Sequence, residues 1–492
     1  MGQIVADPSP PRTRDSESVS KARLRAAAPR LDTPVGRAIA ICVGLALLSS
    51  ALLPTVPSYD PFAWVVWGRL ISEHHLATGG GPSWKPFPVI FTTIWGLFGG
   101  AAPTLWVITA RAGGLLGLAG GWRLATRLGG RIAGLVAVLG IVLTQDWAYY
   151  MFRGTSEPML IATTVWAVER HLAGKRVQAF VLLVAASLIR PEAWPFLGLY
   201  GVWLAWNDRG LWWVVALGWL AIPFFWFVPP WISTGQPFMA ASHAKSYNGH
   251  LGSHPWLEAL RRAADLQVAP MLAAAAVGVA LTWFKERDRL IIGLLSSGLA
   301  WVVLVEAMTI GGYPGLERFF LPAAAVFCVL AGVGVSRVAM LAGGGVRTLG
   351  VAVVILAASV PFATARIDAV STASDNANRA VKLLNQLSSA VHAAGGKAGV
   401  LPCRTSVTAV NHAVQTALAW KLHVTLARVG TSLRRPGVTF IGPNRTGVER
   451  SVDGAPAPIR FHPQAGRLVA TAGPWRVLRV TRPGVSDACA GR

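Results

Sequence analysis

The sequence predicts an α-helical polytopic membrane protein with about eleven spans and a small α/β domain at its C-terminal end, outside the cytoplasm. Three observations predict it. Only 14% of residues are charged and 53% are hydrophobic, with mean hydropathy +0.49, whereas a soluble chain carries about 25% charged residues. Apolar stretches recur from about residue 38 to 365, and a polar region with alternating helical and strand periods follows. Lys and Arg gather in the gaps between alternate stretches, as the positive-inside rule requires.

The formal charge of +23 raises a nucleic-acid reading, which the distribution of charge argues against. The basic residues lie in the leading tail, in short inter-span gaps and in the last quarter, where they meet anionic headgroups. The 21 Trp suit interfacial belts.

In chain order, residues 1–36 (PSPPRTRDSESVSKARLRAAAPR) are rich in Pro, Ser and Arg and read as a disordered cytoplasmic tail. The run from Ala38 to Leu53 follows Arg37 and stops at Pro54. Its basic preface is too long for a signal peptide, so it reads as an uncleaved first span. Further spans are expected near 104–124, 131–145, 157–170, 177–190, 193–207, 211–229, 267–284, 289–308, 318–338 and 346–365. An inside N-terminus puts Arg123/Arg127/Arg131, Arg170/Lys175/Arg176, Arg209, Lys285/Arg287/Arg289 and Arg337/Arg347 in cytoplasmic loops. This parity requires the short run Phe87–Phe98 not to span, so it reads as a helix on the outer surface.

Three long regions then face outward: 55–103, 230–266 and everything after about 366. The first has Trp64, Trp67, Leu70 and Ile71 near helical spacing and is expected to lie along the interface. The last reads as a helix near 376–394, a strand Ala398–Leu401, a helix near 406–421, and strands at Val438–Ile441 and within Arg467–Val480. The expected organisation is a tail (1–36), a transmembrane domain (37–365) and an extracytoplasmic α/β domain (366–492). Cys42 and Cys328 sit in apolar runs as fillers. Cys403 and Cys489 lie in the polar region, where a disulfide and two separate thiols are both open readings.

The candidate chemistry lies at the outer ends of the spans. Ser-Tyr-Asp-Pro (58–61) opens the first outer loop. Asp60 there can act as a general base toward a hydroxyl, and Asp before Pro also suits a helix start. In Trp84-Lys85-Pro86, Lys85 stands at headgroup depth, able to hold a phosphate as a point charge. Arg153-Gly-Thr-Ser-Glu157-Pro158 and Arg190-Pro191-Glu192 place charges on the same side, with Glu306 and Glu317-Arg318 completing the set. Charges at the edge of hydrocarbon are costly to keep, and Arg suits a phosphate through its planar fork. His243, Lys245, Tyr247, His250 and His254 share the 230–266 loop. No HExxH or acidic cluster accompanies them, so substrate contact or plain loop composition is favoured there over zinc.

These features together resemble the GT-C superfamily of integral membrane glycosyltransferases. Trp-Lys-Pro-Phe-Pro (84–88) is similar to the Lys-Pro-Pro motif of the bacterial protein mannosyltransferase and aminoarabinose transferase-like branch, with Phe87 where the second Pro usually stands. Arg-Gly-Thr-Ser-Glu (153–157) falls where that branch has an acidic residue opening a span. Asp60 occupies the place of the first-loop acidic pair and is followed by Pro61. The resemblance covers about residues 37–365 and leaves the C-terminal domain unexplained.

The resemblance implies transfer of a sugar from a polyprenyl-phosphate donor to an acceptor hydroxyl of a glycan, lipid or protein outside the cytoplasm, in building the cell envelope. A phosphate leaving group needs no protonation, so one carboxylate suffices, unlike the two of most glycosidases. Asp60 would be that base, with inversion at the anomeric carbon. Lys85, Arg153, Arg190 and Arg318 would bind the donor phosphate. Tyr59, Trp64, Trp67, Trp84, Glu157, Glu192, His243 and Glu317 would contact substrate. No cofactor is fixed by the sequence, and a divalent metal, used by some members of the superfamily, stays open. Membrane lipids are partners; nucleic acid is not. A transporter or flippase would place charges mid-span and show matching halves, and neither is evident. A non-catalytic envelope assembly protein would have no use for charges converging at one membrane face.

Overall fold

The computed structural model describes residues 33–246, 254–283, 288–341, 343, 345–403, 406–431, 437–442 and 466–480. The expected tail therefore lies almost wholly outside the described residues.

Every expected apolar stretch lies on a helix, and the chain is a multi-pass membrane protein. Helix α1 (Pro34–Leu52) begins with Thr33 accepting the amide of Gly36 at 3.0 Å and Pro34 at its first position. Its Ile41, Leu48 and Leu52 face outward, the exposure that lipid permits and water does not. Helices α2 (Tyr59–Ser72) and α3 (Pro86–Gly96) follow at one end of the bundle. Helix α4 (Ala102–Val142) carries two expected spans as one run interrupted at Gly130, whose φ of 82° and ψ of −179° are not helical. Then come α5 (Trp147–Arg153), α6 (Glu157–Leu172), α7 (Arg176–Ile189), α8 (Trp194–Asn207), α9 (Trp212–Thr234) and α10 (Met239–Ser246). Helix α11 (Pro255–Asp265) meets α12 (Ala269–Leu281) at 91°. Helices α13 (Arg289–Ile310), α14 (Leu321–Leu341) and α15 (Val346–Ala393) complete the bundle.

Among the described residues, six helices are long and apolar enough to cross a bilayer alone, or seven if α11 and α12 form one bent span. At 14 residues each, α7 and α8 rise only about 21 Å against a hydrocarbon core of roughly 30 Å. The bundle is built around α14, which glycines let its neighbours approach. A Cβ on Gly332 would strike the backbone of Ala133 in α4, and one on Gly334 would strike the carbonyl of Ala274 in α12. Small residues allow such backbone contact in membranes.

In the region 55–103, α2 is buried on nearly every side, from Pro61 to Leu70; Thr92 of α3 donates to its Trp64 carbonyl, and its Tyr59 is bonded to Gln415 of the C-terminal domain. Helix α15 runs 48 residues and passes through position 365. The expected strand at 398–401 is instead the short helix α16 (Gly396–Val400), entered through Gly395 at φ 86°.

The C-terminal domain has a mixed sheet in the order β2-β1-β3-β5-β4. Strand β1 (Thr408–Ala409) pairs in parallel with β2 (Val429–Gly430) and β3 (Gly437–Ile441). Strands β4 (Arg467–Ala472) and β5 (Trp475–Val480) form a hairpin turning at Gly473, φ 55°. The helix expected near 406–421 is shorter, α17 (His412–Lys421), capped by Asn411. Trp475 is fully buried and donates its indole N–H to the Leu383 carbonyl of α15 at 3.0 Å, fixing the sheet to the long helix.

Gly334→Ala should destabilise the protein by about 1–3 kcal/mol through overpacking. Gly44→Ala, with nothing within 4 Å of the added Cβ, should be neutral or stabilising through helix propensity. Unfolding midpoints of the two variants in detergent check the contrast.

Candidate active site

Charged side chains from separate segments meet at one end of the bundle. At their centre is Glu157, the first residue of α6, with no solvent exposure. The helix dipole favours an acidic residue there, and Pro158 suits the first turn. Its Oε1 lies 3.8 Å from Lys85 Nζ, 3.5 Å from Arg190 Nη1 and 4.0 Å from Arg318 Nε. Lys85 also donates to Ser156 Oγ at 3.3 Å and rests over the Trp64 ring. Arg190, at the end of α7, grips Glu192 at 2.8 Å, donates to Tyr313 OH at 3.0 Å and packs on the Phe319 ring, 3.9 Å from its centroid.

Asp60 stands in the first turn of α2, and its Oδ2 accepts from Arg318 Nη1 at 3.4 Å. Both side chains keep 13% exposure, while Glu157 and Glu192 have none and Arg190 has 2%. The cluster is therefore layered. Glu157, Arg190 and Glu192 form a dry base, and Asp60 with Arg318 faces the opening. Lys85, Arg190 and Arg318 balance Asp60, Glu157 and Glu192, so the formal charge is zero. Lys85 precedes α3, where the helix dipole opposes a cation; burial lowers its pKa, and Glu157 and Asp60 hold it up.

The other expected site residues fall around this core. Arg153 is buried and donates to the Pro57 carbonyl at 3.1 Å, while its own carbonyl accepts from Ser58 N at 3.0 Å. It thus ties down the turn leading to Asp60. Trp64 and Trp67 are 0% and 1% exposed and present no open face for a sugar; Trp64 forms the floor under Lys85. Trp84 packs against Trp67 and donates to the Phe225 carbonyl at 2.9 Å. Tyr59 stacks on His412 of α17, with centroids 4.1 Å apart. His243 lies beside the Pro82 carbonyl at 3.3 Å, next to the loop that bears Lys85. Glu317 pairs with Arg262 of α11 at 3.5 Å, and Glu306 lies on α13. Cys489, and with it the open choice between a Cys403–Cys489 disulfide and two thiols, lies outside the described residues.

Several neighbours carry no mark in the sequence. Tyr150 of α5 is wholly buried with its hydroxyl unpartnered, and burial beside Asp146 and Glu157 pushes its phenol well above the usual range. Tyr313 caps Arg190, and burial raises its phenol too. His412 sits close enough to Asp60 for the carboxylate to favour its protonated form, but burial wins and lowers its pKa. Among the described residues no group of three or more His, Cys, Asp or Glu side chains is placed to hold a metal. The carboxylates of the cluster each face a cation, a poor ligand set for a second one.

The chain superposes on ArnT from Cupriavidus metallidurans bound to undecaprenyl phosphate with a TM-score of 0.52 and 14% identity, covering 94% of this chain and 100% of that one. For the same protein in the apo state the TM-score is 0.50 and the identity 15%, covering 89% and 97%. The chain has the GT-C fold. No protein-family model and no curated protein matches it by sequence.

Glu157→Gln should leave Lys85, Arg190 and Arg318 under-compensated in a dry site and destabilise the protein by about 3–5 kcal/mol. A fall in the unfolding midpoint in detergent is the measurement; an unchanged midpoint would refute the central role of Glu157.

Proposed function

We propose that the protein is a membrane glycosyltransferase that moves a sugar from a polyprenyl-phosphate donor to an acceptor hydroxyl outside the cytoplasm, with Asp60 as general base. The observation that carries this reading is the layered cluster: a carboxylate open to solvent, beside cations held in place by a dry counter-ion. The GT-C fold and the binding of undecaprenyl phosphate by ArnT support it. The basic loops at the opposite end of the bundle support an extracytoplasmic site.

The chemistry needs one base. The acceptor oxygen attacks the anomeric carbon from the side away from the phosphate, and its proton passes to the Asp60 carboxylate. The carbon–oxygen bond to the donor phosphate breaks with its electron pair, which leaves on the polyprenyl phosphate. The configuration at that carbon inverts. Lys85 and Arg318 face the charge that develops on the leaving oxygen, and Arg190, locked against Glu192, backs them. Such preorganised charge lowers the barrier because it needs no rearrangement during the reaction. The acceptor is a glycan, lipid or protein hydroxyl. No metal enters this scheme, and a divalent ion assisting the phosphate is a variant that chelation would reveal.

Arg318 serves two partners in turn. In this structure it pairs with Asp60; a bound phosphate competes for the same guanidinium and frees the carboxylate to accept a proton.

Purified protein given a panel of radiolabelled polyprenyl-phosphate sugars and envelope acceptors should show transfer. Asp60→Asn should lower it at least about 100-fold. Full turnover in that variant would remove Asp60 as base, and no turnover with any donor would reject the enzyme. Arg318→Gln should weaken binding of undecaprenyl phosphate by about tenfold, the loss of one charge-assisted contact of roughly 1.5 kcal/mol, as read by a lipid competition assay.

A further inference from the structure

The C-terminal domain touches both elements that present the reactive groups, and this gives it work beyond decoration. Its helix α17 lies along α2 and is joined to it at both ends. At the start, Tyr59, the residue before Asp60, stacks its ring on His412 at 4.1 Å and 28°. The Tyr59 hydroxyl donates to Gln415 Oε1 at 3.0 Å, and the Thr416 hydroxyl donates to the Tyr59 carbonyl at 2.9 Å. Gln415 in turn donates to the Val429 carbonyl of β2, so the chain of contacts ends in the sheet. At the far end of α2, Arg69 is buried, donates to the carbonyls of Trp420 and Val424 at 3.2 and 3.0 Å, and lies over the Trp420 ring.

The second contact is independent of the first. The loop that leads to Lys85 passes Gly80 at φ 81°, and a Cβ there would come within 2.8 Å of the Ala427 amide. At Gly81 a Cβ would meet the Leu426 side chain at 2.6 Å. The backbone of this loop is therefore seated directly on residues 426–427 of the C-terminal domain. One rigid body thus holds the helix of Asp60 and the approach to Lys85, which have no covalent reason to keep a fixed separation.

We infer that the C-terminal domain is a positioning element of the catalytic centre, with His412 and Gln415 fixing Asp60 through Tyr59 while residues 426–427 fix the approach to Lys85. The inference rests on the glycosyltransferase reading above for its catalytic consequence, though not for its structural one. His412 and Gln415 are positioning residues: they act on Asp60 through Tyr59. Geometry of this kind matters because a misplacement of about 1 Å can cost about 100-fold in rate.

The test uses full-length protein in detergent, with the polyprenyl-phosphate sugar that turns over best in the panel. His412→Ala should lower kcat about 10–100-fold, leave the donor KM within about threefold, and raise hydrogen exchange of the amides at 58–62. His412→Phe, which keeps the stacked ring, should restore most of the rate. Tyr59→Phe, which removes one hydroxyl and little else, should fall between them. A purely structural role would reduce the folded fraction and leave kcat per folded molecule unchanged. Turnover and exchange in His412→Ala equal to those of the parent, with Asp60→Asn inactive, would overturn the inference and spare the enzymatic reading. If Asp60→Asn is fully active, that reading fails and exchange at 58–62 alone decides the inference.

Discussion

The arrangement depends on one buried carboxylate shared among three cations. Glu157 has no contact with water, and Lys85, Arg190 and Arg318 all lie within 4.0 Å of its Oε1. Taking charges out of water costs several kcal/mol per ion unless geometry and extra hydrogen bonds compensate. Hence the supporting contacts: Ser156 on Lys85, Glu192 and Tyr313 on Arg190, and Asp60 on Arg318. Cations so constrained lose little entropy on meeting a phosphate. A set of free surface lysines would carry the same charge with none of this preorganisation.

The contacts also explain why the site needs so many helices. Asp60 comes from α2, Lys85 from the entry to α3, Glu157 from α6, Arg190 from the end of α7, and Arg318 from the turn before α14. Most stand at helix termini, where a dipole adds its own bias. That bias stabilises Asp60 and Glu157 at N-termini and Arg190 at a C-terminus, and works against Lys85. The fold invests the opposing term where an incoming anion would relieve it.

How much of this was legible in the sequence follows the range of each interaction. Apolar length and loop charge are local, so the helices and the separation of charged ends could be read directly. The break at Gly130 coincides with a basic gap between two expected spans. The candidate charges could be assigned to one membrane face by parity. Their pairing could not, since Asp60 and Arg318 are 258 positions apart. Nor could the inward aim of Trp64 and Trp67: amphipathic spacing shows that a face is apolar but not what covers it, and here Trp64 meets Trp106 and Lys85 while Trp67 meets Trp84. Residues 398–401 read as a strand from their composition, yet two glycines at positive φ, Gly395 and Gly396, redirect the chain into a turn of helix. Tyr150 and Tyr313 carry no sequence pattern and become visible only through the charges they face.

A site that is already neutral must still admit an anion, and the layering indicates which internal pair gives way. Glu157 has three cations around it and no water, so releasing any one leaves buried charge unbalanced. Asp60 pairs with Arg318 in the cluster, and both keep access to solvent, so their separation can be offset by water and by the phosphate itself. The exchange costs least at the pair whose carboxylate the proposed reaction would use. Under the proposed reaction, donor binding and activation of the base would be one event: before the phosphate arrives, Asp60 is held by a guanidinium and would be a weaker proton acceptor, and after it arrives the carboxylate would be available beside the sugar. Neutrality of the cluster is thus compatible with binding an anion, and in the proposed reaction it would also guard the base until the donor is in place.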